Sequence, residues 1–168
     1  MSPRFELEPV DHSFFDTAPH VSRHPIDVAV GPDELWAELT ARRPLAWCRM
    51  LTDVEFQGAS PFGAGAVRQV EVAKVMRMDE YFFHWDDAAR RHSFYVTSAN
   101  VPLFRSFAED YQVTEIPGGS RLTWTFAMAP RSGLGLALRL GAPLNKALYS
   151  SLAHDTAKRF GPIRGVGN

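Results

Sequence analysis

Cysteine is nearly absent from this chain. Cys48 is its one thiol, so no internal disulfide framework and no cysteine-based metal cluster can form. A charge excess is absent too: eighteen basic residues stand against nineteen acidic ones, for a formal charge of −1. A general nucleic-acid binder would carry a basic excess, so nucleic acid is not expected as a partner, although a local basic patch remains open. Long apolar runs are missing. The most apolar stretch, Leu134 to Leu140, is broken by Gly135 and Arg139 and is far below the ~20 residues of a membrane helix. The start, MSPRFELEPVDHSFFD, has no apolar run of ~7–15 residues behind a basic opening. The expectation is a soluble, cytoplasmic protein with no membrane insertion.

Standard catalytic signatures are also scarce. There is no Gly-x-Ser-x-Gly elbow, and Gly63-x-Gly65 and Gly133-x-Gly135 are too short for a phosphate or dinucleotide fingerprint. No cofactor is expected. The six histidines are scattered. His20 and His24 are four apart, but in a strand or lead-in, where that spacing makes no common face. His154-Asp155 reads as an exposed pair on the last helix. No metal site is expected. Cys48, amid Leu45, Trp47 and Leu51, reads as a buried thiol.

What is present is aromatic. Of 168 residues 12% are Phe, Trp or Tyr, with twelve Phe and four Trp. The length suits one domain that buries ~70% of its unfolded surface. Residues 1–19 read as an extended lead-in tucked down by Phe14 and Phe15, residues 20–161 as the domain, and residues 162–168 as a tail. Residues 20–30 read as a strand. Pro32-Asp33-Glu34 opens a helix carrying Leu35, Trp36 and Leu39, and Pro44 ends it. A second short helix is predicted over 45–51. After the turn residues 60–65, strands are predicted over 66–75, 78–86, 91–98, 105–116 and 121–129, joined by tight hairpin turns at 86–88 and 117–120. A helical piece over 134–140 leads into a long helix over 142–160, striped by Leu144, Ala147, Leu148 and Leu152.

This order is α+β: two short helices after the first strand, a curved antiparallel sheet of about seven strands, and a terminal helix ~28 Å long to cover it. A sheet curving away from one helix leaves a natural ligand cavity, ordinarily ~300 Å³ or more.

Several motifs then line up along residues 14–160: Phe15-x-Thr17-Ala18-Pro19, Pro32-x3-Trp36-x2-Leu39, Pro61-Phe62-Gly63-Ala64-Gly65-x2-Arg68, Trp85-Asp86-x3-Arg90-Arg91, Phe107-Ala108-Glu109-Asp110-Tyr111 and Arg121-Leu122-Thr123-Trp124-Thr125. In order and spacing the chain resembles the SRPBCC superfamily of START-like and pollen-allergen-like helix-grip domains, most of all its polyketide cyclase/dehydrase branch. The resemblance implies the helix-grip fold. It does not fix a function, because that superfamily includes polyketide-tailoring enzymes, lipid carriers and sensors.

Side chains alternate across a strand, so one register choice assigns a whole face. Leu122, Trp124, Phe126 and Met128 form an apolar inner set. Phe107, Tyr111 and Val113 bring Glu109 inward; Phe94 and Val96 bring His92; Val70 and Val72 bring Arg68. In 78–86 two phases compete, Glu80/Phe82/His84 against the more apolar Tyr81/Phe83/Trp85, and the resemblance favours the first. The candidate site is thus Arg68, Glu80, His84, His92 and Glu109, among Phe82, Phe94, Phe107, Tyr111, Trp124 and Phe126. A buried guanidinium needs a partner, so Arg68 should pair with Glu80 or Glu109.

Three readings follow. The first is a binding module for a hydrophobic, aromatic, polyketide- or lipid-like small molecule. The second is a cofactor-free cyclase, aromatase or dehydratase, with His84, His92 and Glu109 moving protons. The third is an interaction module, a homodimer for instance, using Tyr81, Phe83 and Trp85.

Overall fold

A computed structural model describes residues 3–163, apart from the Leu144 side chain. Residues 164–168 of the expected tail, and Leu144 of the expected helical stripe, lie outside the described residues. The order of elements is β1 (Phe5–Glu6), α1 (Phe14–Thr17), β2 (His20–Val28), α2 (Pro32–Leu39), β3 (Leu51–Phe56), β4 (Val67–Val72), β5 (Met76–Asp86), β6 (Arg91–Ala99), β7 (Phe104–Ile116), β8 (Gly119–Pro130), α3 (Gly135–Leu140) and α4 (Ala142–Phe160).

Seven strands form one antiparallel path, β2-β8-β7-β6-β5-β4-β3. Most neighbours in this path are consecutive in sequence because tight turns join them. Between β7 and β8 the turn is Pro117-Gly118, and Gly118, with φ +82°, supplies a backbone that other residues adopt only with strain. The next glycine is required by close approach. A Cβ at Gly119 would lie 1.9 Å from the Val28 carbonyl oxygen, where β2 meets β8. The curled sheet packs its inner side on α2 and α4. The core there holds Phe56, Phe82, Phe94, Tyr111, Leu122 and Trp124, all nearly without solvent contact.

The lead-in is woven into the sheet. β7 pairs with β6 only from Arg91 to Tyr95. Where β7 departs, β1 fills the gap, with Phe5 opposite Ala99 and Glu6 opposite Ser98. Leu7 N–H donates to Thr97 O (2.9 Å) and Glu8 N–H to Arg105 O (2.8 Å). The lead-in then crosses the outer face, where Phe15 packs on Ala108 and Ala127 beside Phe14, Phe83 and Tyr95.

Three sequence expectations are corrected. The second short helix, 45–51, is reduced to two i→i+3 turns, Cys48 N–H to Leu45 O (2.9 Å) and Leu51 N–H to Cys48 O (3.0 Å). Leu45 has φ +59°, which stops helical propagation, and from Leu51 the chain is already strand. That strand, β3, was not expected, because Thr52, Asp53 and Glu55 dilute its apolar pattern. Finally, Asp155 is buried rather than exposed. It accepts from Arg49 N–H (2.9 Å) and Arg49 Nε (3.0 Å), tying the turns at 45–50 to α4. Among the described residues, no helix is long and apolar enough to cross a membrane.

Candidate functional site

An interior cavity lies between the sheet and α4. Its apolar walls include Val70, Val72, Met76, Met78, Leu148 and Leu152. Its polar cluster is built by Arg68, Glu80, Glu109 and Tyr111, with Phe107, Trp124 and Phe126 also in its walls. The inward alternation of β4, β7 and β8 is therefore as expected.

Arg68 and Glu80 stand directly opposite on β4 and β5. Arg68 Nε donates to Glu80 Oε2 at 2.6 Å, and both side chains are almost fully buried. Pairing is required here, since an isolated ion inside a protein costs several kcal/mol. The bond is single, and Arg68 Nη1 has no hydrogen-bond partner. Aromatic faces surround the guanidinium instead: its carbon lies 4.6 Å from the Phe94 ring centre and 5.1 Å from that of Phe82. Phe82 and Phe94 thus sit beneath Arg68 and do not line the cavity. Burial pulls the guanidinium pKa down, but the Glu80 carboxylate more than offsets this, so Arg68 stays charged.

Glu109 is the unpaired carboxyl of the group. Trp124 Nε1 (2.7 Å) and Tyr111 OH (3.1 Å) both donate to its Oε2. Burial, reinforced by the Glu80 charge, pushes its pKa up to about 8 despite those two bonds and Arg68. Burial raises the Glu80 carboxyl as well, but its bond to Arg68 opposes that rise; Glu109 lacks such a bond and is the first of the two to take up a proton. Burial, with the neighbouring Glu109, also holds the Tyr111 phenol well above its ordinary range.

The two histidines expected here are elsewhere. β5 carries an extra residue at Phe83: Phe82 pairs with Phe94, but His84 pairs with Ser93 and Trp85 with His92. Such a bulge flips every later side chain. Glu80 and Phe82 face inward as expected. His84 is turned to the outer face against His12, with ring centres 4.7 Å apart, and Trp85 comes inside against Phe82 at 5.3 Å. Each competing phase of this strand is right over part of its length. Tyr81 and Phe83 keep the outer face. Phe83 is packed by the lead-in and stacks on Tyr95 at 5.9 Å.

His92 does point inward but does not reach the cavity. It is fully buried in a box of rings, with Tyr111 at 4.8 Å, Phe82 and Trp85 at 5.0 Å, and Trp36 at 5.1 Å. Neither ring nitrogen has a hydrogen-bond partner. Burial, with the nearby Arg68 charge, drives its pKa well down and keeps it neutral. In that position it packs and cannot exchange protons with a cavity ligand.

Residues at the mouth escaped the sequence reading. Tyr149 of α4 packs tilted on Phe126 (4.2 Å between ring centres) and against His24 of β2 (4.6 Å). His24 Nε2 is 3.1 Å from Ser22 Oγ. These rings close the cavity toward an open groove of about 490 Å³ between β2 and α3–α4. The alternation Ser22, His24, Ile26, Val28 was available as a signal; the arrival of Tyr149 from α4 was not.

The cavity is small. It holds about 70 Å³, against the ~300 Å³ expected of a ligand pocket. Tyr149 and Leu148 occupy the space that the curvature of the sheet opens. Among the described side chains of α4, those buried are Leu152, Asp155, Thr156 and Phe160, all in its second half. The described side chains of the first half are exposed or only partly buried, Leu148 and Tyr149 among the latter.

Cys48 is buried as expected, and its burial pushes the thiol up to about 12. Among the described residues, no group of three or more His, Cys, Asp or Glu is placed to hold a metal ion.

Comparison with known proteins agrees with this architecture. Residues 19–161 match the family described as polyketide cyclase / dehydrase and lipid transport. The chain belongs to that family, within the SRPBCC superfamily. Uncharacterised proteins of Mycobacterium tuberculosis and Mycobacterium bovis are each 36% identical to it over 148 residues, spanning 86% of this chain and 81% of theirs. Solved structures share the fold at much lower identity. The Zhui aromatase/cyclase of a Streptomyces species has a TM-score of 0.65 at 14% identity, covering 89% of this chain and 98% of its own. The major latex-like protein 151 of Panax ginseng has 0.65 at 12%, covering 85% and 98%. A Thermus thermophilus protein has 0.69 at 16%, covering 84% and 97%.

Proposed function

We propose that this family member binds an amphipathic small molecule, aromatic or lipid-like, between its sheet and α4. The observation that carries this reading is a cavity walled largely by aliphatic side chains that also holds the Arg68, Glu80, Glu109 and Tyr111 cluster. Aliphatic walls suit an apolar body, while Glu109, Tyr111 and Arg68 suit a carbonyl, hydroxyl or other polar head. Because the cavity holds only about 70 Å³, binding requires Tyr149 to swing off Phe126, joining cavity and groove. The description of its family, polyketide cyclase / dehydrase and lipid transport, names molecules of that class. The test uses 8-anilinonaphthalene-1-sulfonate, whose fluorescence rises in apolar surroundings, together with native mass spectrometry of the purified chain. Saturable fluorescence is expected, stronger in Tyr149→Ala and reduced at least tenfold in Val72→Phe, which fills the cavity. Binding indifferent to both substitutions rejects the reading.

A second reading has its own support. A carboxyl pushed up to about 8 beside a phenol can donate and then reclaim a proton, as a cyclisation or dehydration requires. In this version Glu109 is the catalytic residue, with Tyr111 and Arg68 orienting a carbonyl. Glu109→Gln should then abolish turnover of a cognate substrate while leaving its binding within a few-fold of the parent. Turnover that survives in that variant rejects this version and leaves the binding reading standing.

A further inference from the structure

The end of the molecule beside the cavity mouth has an unusual surface. Leu136 and Leu140, one helical turn apart on α3, are 68% and 74% exposed. No residue of α3 is buried. From Arg131 to His154 the chain contains Arg131, Arg139 and Lys146 but no Asp or Glu, although it has nineteen acidic residues in all. The groove below α3 is lined by His20, His24, Arg139 and Lys146, and by no carboxylate. It shares Met128, Asn145 and Tyr149 with the interior cavity.

We propose that this end docks on an anionic lipid surface, with Leu136 and Leu140 entering the headgroup layer and Arg139 and Lys146 lying against the phosphates. Exposed leucines on α3, with a cation beside them on α3 and another on α4, suit a bilayer interface, where apolar side chains enter and basic ones stay with the headgroups. A bilayer fits better than a protein partner. A stable protein interface takes ~800 Å² from each side, far more than two leucines on one turn provide, whereas a bilayer accepts isolated apolar side chains. The cations also act without any particular partner geometry, each strengthening attachment roughly fivefold near an anionic surface and losing that effect in salt.

Docking places the cavity mouth against the phase in which an apolar ligand dissolves. That consequence rests on the ligand reading above; the docking itself does not. Vesicle binding is therefore measured without ligand, and dye binding without vesicles, so the two can fail separately.

The experiment is co-sedimentation of the full chain with vesicles of phosphatidylcholine, alone or mixed with phosphatidylserine. The protein should pellet with the mixed vesicles at low salt and be released at high salt. Leu136→Glu with Leu140→Glu should lower binding by roughly tenfold or more, since each leucine loses its burial. Arg139→Glu with Lys146→Glu should lower it by a similar factor. All four positions are exposed, so thermal melting should be unchanged in both variants, and dye binding should be unchanged in the leucine variant, whose positions line neither cavity nor groove, which separates lost docking from lost fold. No pelleting with mixed vesicles overturns the proposal, as does pelleting that the leucine substitutions leave intact. So does a dimer mass in light scattering that those substitutions return to monomer without any vesicle binding, which assigns the patch to self-association.

Discussion

Glu109 and Asp110 are neighbours on β7, both carboxylates and both 6% exposed, and they face opposite sides of the sheet. Asp110 points outward. Ser93 Oγ donates to its Oδ1 at 2.6 Å and Arg91 Nε at 2.9 Å, and Ser93 Oγ lies 3.2 Å from His12 Nε2. With Ser93 donating to Asp110, its oxygen is free to accept from His12. The outer cluster is thus chained together and pins the lead-in to the sheet. Glu109 points inward to Trp124 and Tyr111, with the guanidinium beside it already bonded to Glu80. Only the inner cluster leaves polar atoms without partners, Arg68 Nη1 and both nitrogens of His92 among the described residues. A satisfied buried network rigidifies a fold, whereas a partly satisfied one holds reactive capacity at a cost in stability. The difference between the two faces is the physical basis for looking to the inner one for function.

The sharpest way to break the comparison is to unbalance the inner ion pair. Arg68→Met strands the Glu80 carboxylate and should cost ~3–5 kcal/mol in urea unfolding, with Arg68→Met/Glu80→Met recovering most of the loss. If the single variant is as stable as the parent, Arg68 does not carry the charge balance of the site. On the outer face, Asp110→Ala deprives Arg91 and the buried Ser93 of their acceptor. A loss of ~2–3 kcal/mol is expected, with the lead-in becoming sensitive to protease ahead of the domain.

Glu109→Gln should change stability by less than ~1 kcal/mol below about pH 4.5, because an amide oxygen still accepts from Trp124 and Tyr111, and should become the more stable chain as pH rises. Its effect lies in the pH dependence. The folded-state pKa of Glu109 is raised from 4.5 to about 8, so the folded chain holds a proton that the unfolded chain has released. Its contribution to stability is complete below about pH 4.5 and declines as pH rises toward about 8. Urea midpoints across that window should fall less steeply in Glu109→Gln; a slope equal to the parent's would mean that Glu109 titrates normally. The smallest effect is expected of His84→Ala. On the outer face it should shift stability by ~0.5 kcal/mol or less and leave dye binding unchanged; a weakened dye complex would bring His84 back to the site.

How much of this was legible in the sequence depended on the range of the signal. The inner sets of β7 and β8 were read directly, because alternation with a period of two is local and Leu122-Thr123-Trp124-Thr125-Phe126 leaves one choice of face. The need for Arg68 to find a carboxylate was also readable from the cost of burying a guanidinium. The fate of His84 was not. One extra residue at Phe83 turned the strand over midway, and no local pattern distinguishes a bulge from either continuous phase. β3 was missed for a related reason: a short edge strand with polar residues alternates weakly.

The amino-acid order alone therefore determined the α+β layout and the face on which most aromatic rings lie, which follow from local periodicity and turn chemistry, and the family resemblance, which rests on the order and spacing of its motifs. The three-dimensional packing decided which carboxylate shares Arg68, where His84 and His92 end up, and how far α4 closes the cavity. Those outcomes depend on side chains meeting from strands and helices far apart in the chain, and on Tyr149 of α4 reaching Phe126 of β8 and His24 of β2.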